Sequence, residues 1–130
     1  MIVVDSSALL ALCFEEVEYA TFKEAILEAD SPVIGAPNFI ETFMVIEARA
    51  GDSGTRQLDR IVGSLGLAVA AFDASHVAAA RDAFRRYGKG RHRAALNFGD
   101  CCAYALAKTL GVPLLFKGND FAQTDIKRAL

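Results

Sequence analysis

Ile2-Val3-Val4-Asp5-Ser6-Ser7-Ala8-Leu9-Leu10 decides the architecture. A short β-branched run that stops at an acid reads as a strand. Ser6 and Ser7 can cap a helix over residues 8–12 that follows at once. The same alternation continues outward. Residues 16–29 have helical spacing, with Val17, Ala20, Phe22, Ala25 and Ile26 placed for burial, and Asp30-Ser31-Pro32 breaks the helix. Residues 33–36 read as a second strand. Pro37 suits the first turn of a helix that runs to about residue 50 and ends at Gly51. Ser53 or Thr55 opens another to about residue 65. Residues 67–72 form a third strand, and Asp73 caps an alanine-rich helix ending near Tyr87-Gly88. Residues 89–97 are a loop. Phe98 or Gly99 opens a helix that Gly111 closes, and residues 113–116 form a fourth strand before Gly118-Asn119-Asp120. Strands alternating with helices predict an α/β fold with a parallel sheet. No linker, repeat or low-complexity segment interrupts it, so one domain over residues 1–130 is expected.

Composition narrows the class. With 53% hydrophobic and 23% charged residues, the chain reads as a soluble globular protein and not a disordered one. Its net charge of −2 carries no nucleic-acid signal, though carboxylates gathered into one metal site can mask such a signal. No apolar run approaches the ~20 residues of a membrane span. The opening has no basic run before its apolar stretch, so no secretory leader is expected. Cys13, Cys101 and Cys102 include no C-x-x-C pair, and their odd number argues against a disulfide framework. Small buried thiols in a reducing cytoplasm fit best.

The acids carry the chemistry. Ligands of open α/β sheets bind beyond the carboxyl ends of the strands. Asp5, Asp73 and Asp120 follow strands, and Glu41 and Asp100 lie in or near the first turns of helices. Each has an ordinary structural use: Asp5 and Asp73 as helix caps, Glu41 and Asp100 as complements to helix dipoles, Asp120 in an Asx turn. The surroundings of two of them argue for more. Glu41 lies in Phe39-Ile40-Glu41-Thr42-Phe43-Met44, and Asp100 follows Phe98-Gly99 and precedes Cys101-Cys102-Ala103. Acids in such apolar settings are costly to bury unless a cation compensates them. Oxygen ligands without a matching His or Cys set favour Mg²⁺ or Mn²⁺, and such sites work on phosphates. His76 and His92 form no ligand pair. Packed carboxylates repel one another, so at least one pKa should be raised.

Several blocks carry a family resemblance. They are Met1-Ile2-Val3-Val4-Asp5-Ser6-Ser7-Ala8-Leu9, Asn38-Phe39-Ile40-Glu41, Tyr87-Gly88-Lys89-Gly90-Arg91-His92, Ala95-Leu96-Asn97-Phe98-Gly99-Asp100, Ala103-Tyr104-Ala105-Leu106-Ala107 and Leu115-Phe116-Lys117-Gly118-Asn119-Asp120-Phe121. From end to end, in order and spacing, the chain resembles PIN-domain ribonucleases, above all the VapC toxins of type II toxin–antitoxin systems. The resemblance implies a three-layer α/β/α PIN-like domain with a central, mostly parallel sheet. It also implies a Mg²⁺-dependent endoribonuclease, with Mn²⁺ a plausible substitute. Its catalytic and metal-binding residues would be Asp5, Glu41, Asp100 and Asp120. Ser7 matches a hydroxyl residue that helps orient water, and Asp125 matches a segment that supports the cluster from its edge. Asp73 matches no catalytic position. Arg93 departs from the pattern, standing where close relatives often carry proline. A VapB-type antitoxin, a homodimer and a cytoplasmic location are further implications.

RNA must reach this acidic centre. Arg81, Arg85, Arg86, Lys89, Arg91 and Arg93 concentrate positive charge before Asn97, and Lys117 lies near Asp120. They read either as a solvated face or as a rim for the RNA backbone, with His92 or Tyr87 stacking on a base. Leu9, Leu10, Leu12, Phe14, Tyr19 and Phe22 offer apolar surface to an antitoxin helix, although core packing suits most of them. Rival classes fit less well. An aspartate-dependent phosphatase needs a second Asp where Ser7 stands, and a phospho-accepting receiver needs an acidic pair near the start. A non-toxin RNA-processing PIN nuclease, or a non-catalytic PIN-like RNA-binding module, remains as an alternative within the same fold.

Overall fold

Val3 and Val4 point to opposite sides of one sheet, and that division organises the chain. In a computed structural model describing residues 1–130, strand β1 (Ile2–Val4) lies between β2 (Pro32–Gly35) and β4 (Leu114–Leu115). The strand order is β3-β2-β1-β4, with β3 (Ala68–Ala70) at the far edge, and every pairing is parallel. Between the strands run helices α1 (Ser6–Cys13), α2 (Tyr19–Glu28), α3 (Ala36–Ser64), α4 (Ala74–Tyr87) and α5 (Phe98–Leu110). A short 3₁₀ turn, Phe121–Gln123, follows β4.

The sheet is covered on both faces. Val4, Ile34 and Leu115 pack with Leu9, Leu12, Ile26, Ile46 and Leu58 from α1, α2 and α3. Val3 and Leu114 pack with Ala83, Tyr104, Leu106 and Phe121 on the other side, under α4 and α5. Two-sided burial explains why β1 and β4 read as continuous apolar runs and not as alternating ones. Each fully buried Val, Leu or Ile contributes roughly 1.5–3 kcal/mol. The result is the expected three-layer α/β/α architecture.

Several boundaries differ from expectation, each for a local reason. The third strand ends at Ala70, not at 72, because its last partner is Gly35, where β2 stops. The second strand begins at Pro32, which the breaker reading excluded. As the first residue of its strand, proline keeps its ladder acceptor and loses little by lacking an N–H. The second helix starts at Tyr19 and not at 16. Residues 14–18 close α1, with the Phe14 N–H bonded to Leu10 O, the Glu16 N–H to Ala11 O, and Glu15 left-handed at φ 50°. Within α3, Gly51 has φ 59° and ψ −151°, so two helices meet at a break where only glycine is unstrained. Asp5 itself caps α1 through the Ser7 N–H, as its ordinary structural use suggested, and Ser6 and Ser7 lie inside the helix.

Order matters for function. The chain winds from β1 through β2 to β3, then returns to the other side of β1 to make β4. The crevice beyond β1 and β4 is therefore the switch point at which ligands bind in such sheets.

Candidate active site

Asp5 ends β1 at this switch point and is 4% exposed. Its Oδ2 accepts from the Ser7 N–H at 3.0 Å and the Ser7 hydroxyl at 2.6 Å. The same hydroxyl oxygen accepts the Lys117 N–H at 3.0 Å. Ser7 thus fastens the end of β4 to the end of β1, beside Asp5. Its one proton is spent on the carboxylate, so its role is to hold Asp5. Burial pushes the Asp5 carboxyl up to about 6 against the pull of both Ser7 bonds, with the Asp100 and Glu41 charges adding to the rise.

Asp100 enters from the first turn of α5. Asn97 and Asp100 form a capping box: the Asp100 N–H donates to Asn97 Oδ1 at 2.9 Å, and the Asn97 N–H to Asp100 Oδ2 at 3.0 Å. The dipole-complement reading of Asp100 therefore holds structurally, and it coexists with the cluster. Burial raises its pKa first; the Asn97 N–H opposes the rise, and the Asp120 and Glu41 charges reinforce it. Glu41 stands on α3 with its carboxylate against the α-carbon of Gly99. Asp120 is exposed beyond β4 and opens the 3₁₀ turn without capping it. Asp5 thus feels Asp100 and Glu41, and Asp100 feels Glu41 and Asp120, so the four acids share one electrostatic neighbourhood.

No basic side chain neutralises them. The chain's ion pairs form elsewhere, on Asp52, Asp73, Asp82, Asp125, Glu16 and Glu18. No three of these carboxylates close on a common point as a ready-made coordination shell. The donor set nevertheless fits a hard divalent cation: it is all oxygen, net negative and lacks a counter-ion, and the Glu41 and Asp120 carboxylates lie on exposed residues. Thiol ligands do not compete, because burial pushes Cys13 and Cys101 up to about 11 and raises Cys102 as well.

Other expected residues fall elsewhere. Asp125 does not reach the cluster. It accepts from the Tyr104 hydroxyl at 2.5 Å and from Lys108 Nζ at 2.8 Å, with Arg86 at 3.5 Å. Burial alone would raise its pKa, but these partners bring it down to about 2. Asp73 caps α4 in a box with His76, at the end of the edge strand and one strand removed from β1. The basic rim divides. Arg85, Lys89, Arg91 and Arg93 are exposed and form no ion pair, whereas Arg86 is engaged by Asp82 and Asp125. Lys117 turns to Glu16 at 2.9 Å and Glu18 at 3.4 Å. His92 packs edge-on against Tyr87, and its Nδ1 accepts the Ala94 N–H, so it shapes its loop. Arg81, Arg85 and Arg91 line a groove of about 590 Å³ with Phe72, Phe84 and Phe98. Of the apolar residues assigned to a partner, Leu9, Leu12 and Phe22 are core, while Leu10, Phe14 and Tyr19 are half-buried.

Four further residues build the site, and none of them stood out in the sequence as a site residue. Asn38 and Thr42 are fully buried on α3, and Ser6 beside them is 5% exposed. Gly99 supplies the space that Glu41 occupies. The signal available for Asn38 was a polar residue at the start of an otherwise apolar helical stretch.

Comparison with known proteins agrees with this fold. The PIN domain family matches residues 2–127. The chain is 48% identical over 126 residues to Ribonuclease VapC of Mycolicibacterium smegmatis, covering 95% of this chain and 96% of that protein. It is 49% identical over 126 residues to Ribonuclease VapC36 of Mycobacterium tuberculosis, covering 96% and 91%. Two solved structures share the fold. The Mycobacterium tuberculosis VapC20 toxin, described as cleaving the sarcin–ricin loop, superposes with a TM-score of 0.76 at 19% identity, covering 97% of this chain and 96% of that one. A toxin–antitoxin complex from Klebsiella pneumoniae gives 0.73 at 16% identity, covering 96% and 93%.

Proposed function

Because the chain belongs to the PIN-domain family, and within it to the VapC ribonucleases, we propose that it is a metal-dependent endoribonuclease toxin held in check by a cognate antitoxin. The observation that carries this reading is the acid cluster itself. Asp5, Glu41, Asp100 and Asp120 share one electrostatic neighbourhood at the carboxyl end of β1, where burial and then the neighbouring acids raise Asp5 and Asp100, and none of the four has a basic partner. A structural acid of this protein looks different: Asp125 sits between a lysine, an arginine and a tyrosine.

Asp5, Asp100 and Glu41 would hold Mg²⁺ or Mn²⁺, with Asp120 at the margin. The chemistry supplied by the bound cation is stabilisation of charge on the scissile phosphate and easier deprotonation of water. The chain's own residues do the rest. Ser7 favours the ionised form of Asp5 against its burial and fixes its side chain by donating two bonds to one oxygen. Asn97 fixes Asp100 at the helix start. Arg85, Lys89, Arg91 and Arg93 are free to hold the RNA backbone beside the acids.

Two partner assignments accompany the proposal. A second copy of the chain is supported by an apolar face beside the site, where Phe98 is 79%, Met44 62% and Ile40 56% exposed. A VapB-type antitoxin is supported by the likeness to a toxin–antitoxin complex. No helix is long and apolar enough to cross a membrane, and we place the activity in the cytoplasm with its RNA.

The test is cleavage of total cellular RNA by purified protein, with Mg²⁺, with Mn²⁺ and with chelator, followed by sequencing of the new ends. Cleavage should need the cation and vanish in Asp5→Asn and Asp100→Asn, both folded by circular dichroism. Full activity in either variant, or in chelator, refutes the assignment.

A further inference from the structure

Three of the four acids lie on or beside different helix starts, and one buried side chain ties those starts together. Asn38 is 1% exposed, one turn before Glu41 on α3. Its Nδ2 donates to Ser6 Oγ at 3.2 Å and to Gly99 O at 3.0 Å. Ser6 directly follows Asp5, and Gly99 directly precedes Asp100. Ser6 Oγ donates back to Asn38 O at 3.1 Å, and Thr42, the residue after Glu41, donates its hydroxyl to the same carbonyl at 2.8 Å. Reversing the amide would set its oxygen against the Gly99 carbonyl, so the donor orientation is fixed by its partner.

We propose that Asn38 is a positioning residue for the acid cluster. It sets the spacing of Asp5, Glu41 and Asp100 by clamping the chain next to each. The clamp is two-dimensional: one amide proton reaches α1, the other reaches α5, and the residue's own helix carries Glu41. A buried polar network of this kind is costly when half satisfied, so it holds one geometry and resists intermediates. The cluster needs that rigidity. Its members repel one another, no ion pair locks any of them, and the Glu41 carboxylate lies against the α-carbon of Gly99. Spacing of the main chain at the three helix starts therefore decides whether three carboxylates can serve one cation.

The assignment rests on the nuclease reading above, and its test separates the two. Mn²⁺ alone is titrated into metal-free protein and followed by electron paramagnetic resonance, and cleavage is measured with kcat and KM resolved. Asn38→Ala should weaken Mn²⁺ binding about tenfold and lower kcat by about 10–100-fold, with KM for RNA nearly unchanged. Ser6→Ala, which leaves the Gly99 bond in place, should move both in the same direction by less, and it decides the matter if Asn38→Ala does not fold. Leu58→Ala is the control: it truncates the core beyond the Gly51 break, lowers the melting temperature, and should leave Mn²⁺ affinity and kcat as they are. Folded Asn38→Ala or Ser6→Ala with wild-type Mn²⁺ affinity and kcat overturns the role of Asn38. An equal loss in Leu58→Ala does so too, because it reduces the effect to stability. A wild-type chain that binds no Mn²⁺ and cleaves no RNA overturns instead the reading beneath it.

Discussion

The Glu41 carboxylate lies so close to the α-carbon of Gly99 that a methyl group there would come within 2.6 Å of Oε2 and 2.8 Å of Oε1. Two helices therefore approach through a space that a side chain at 99 can occupy only if the Glu41 carboxylate moves. Gly99→Ala separates stability from activity. The obstructed atoms are the free end of a flexible side chain, and alanine favours a helix over glycine by ~1 kcal/mol. The variant should melt at or slightly above the wild-type temperature. Its displaced Glu41 should cost about tenfold or more in cleavage and in Mn²⁺ affinity. Wild-type cleavage by a folded Gly99→Ala protein would show that the placement of Glu41 is immaterial.

Asp5 predicts a pH dependence with a definite sign. Its carboxyl is raised from 3.8 to about 6 in the folded chain, mainly by burial. Its contribution to stability is therefore complete below about pH 4 and is lost as pH rises through about 6, an effect on the order of 3 kcal/mol. Asp100, also raised, acts with the same sign. Metal-free protein should resist urea better at pH 5 than at pH 7.5. Millimolar Mg²⁺ should restore stability at the higher pH, because it binds the native state alone. Asp5→Asn should lose most of this dependence; an unchanged slope in that variant would locate its origin elsewhere.

Ser7 links two strands through one hydroxyl, and Ser7→Ala removes both bonds at once. The Lys117 N–H loses its partner, at a cost of about 1–2 kcal/mol. Asp5 loses one of the two bonds that hold its pKa down, so its carboxyl rises further. The acid limb of the cleavage–pH profile should move to higher pH, and Ser7→Thr should return it. Were Ser7 only a helix-capping residue, melting would change and the limb would stay.

Much of this site was legible in the residues, for a physical reason: an acid ending an apolar strand in an α/β chain is placed by topology. That rule picked out Asp5 but also Asp73, which caps α4 and which the resemblance set aside; the alternation of strands and helices located the helix starts carrying Glu41 and Asp100. What was not legible depended on partners distant in sequence. The clamp on Asn38 joins residues 6, 38 and 99, whose meeting is a tertiary event. Strand limits followed register, so β3 stopped where β2 did. Lys117 looked like a member of a basic rim because Glu16 and Glu18, which engage it, lie far along the chain; Arg86 did so although Asp82 lies one helical turn before it, because its second partner, Asp125, is distant. Asp125 was misplaced for the same reason, drawn to Tyr104 and Lys108 in the middle and last turns of α5, away from its start.

That division of the basic residues is itself testable. Arg85 and Arg91 are exposed, form no ion pair and line the same groove as Phe98, which directly precedes Gly99 and Asp100. Arg86 and Lys117 carry the same charge but are held by carboxylates. Binding of a non-cleavable single-stranded RNA to Asp5→Asn protein should weaken steeply with salt. Each phosphate contact removed should reduce the slope of log K against log salt by about 0.7. Arg85→Ala and Arg91→Ala, added to that background, should each flatten the slope. Arg86→Ala and Lys117→Ala should leave it unchanged, because those cations already have protein partners and release no counterions on binding. The opposite pattern, a flattened slope with Lys117→Ala and none with Arg91→Ala, would move the RNA path from the α4 side of the acids to the α1–α2 turn.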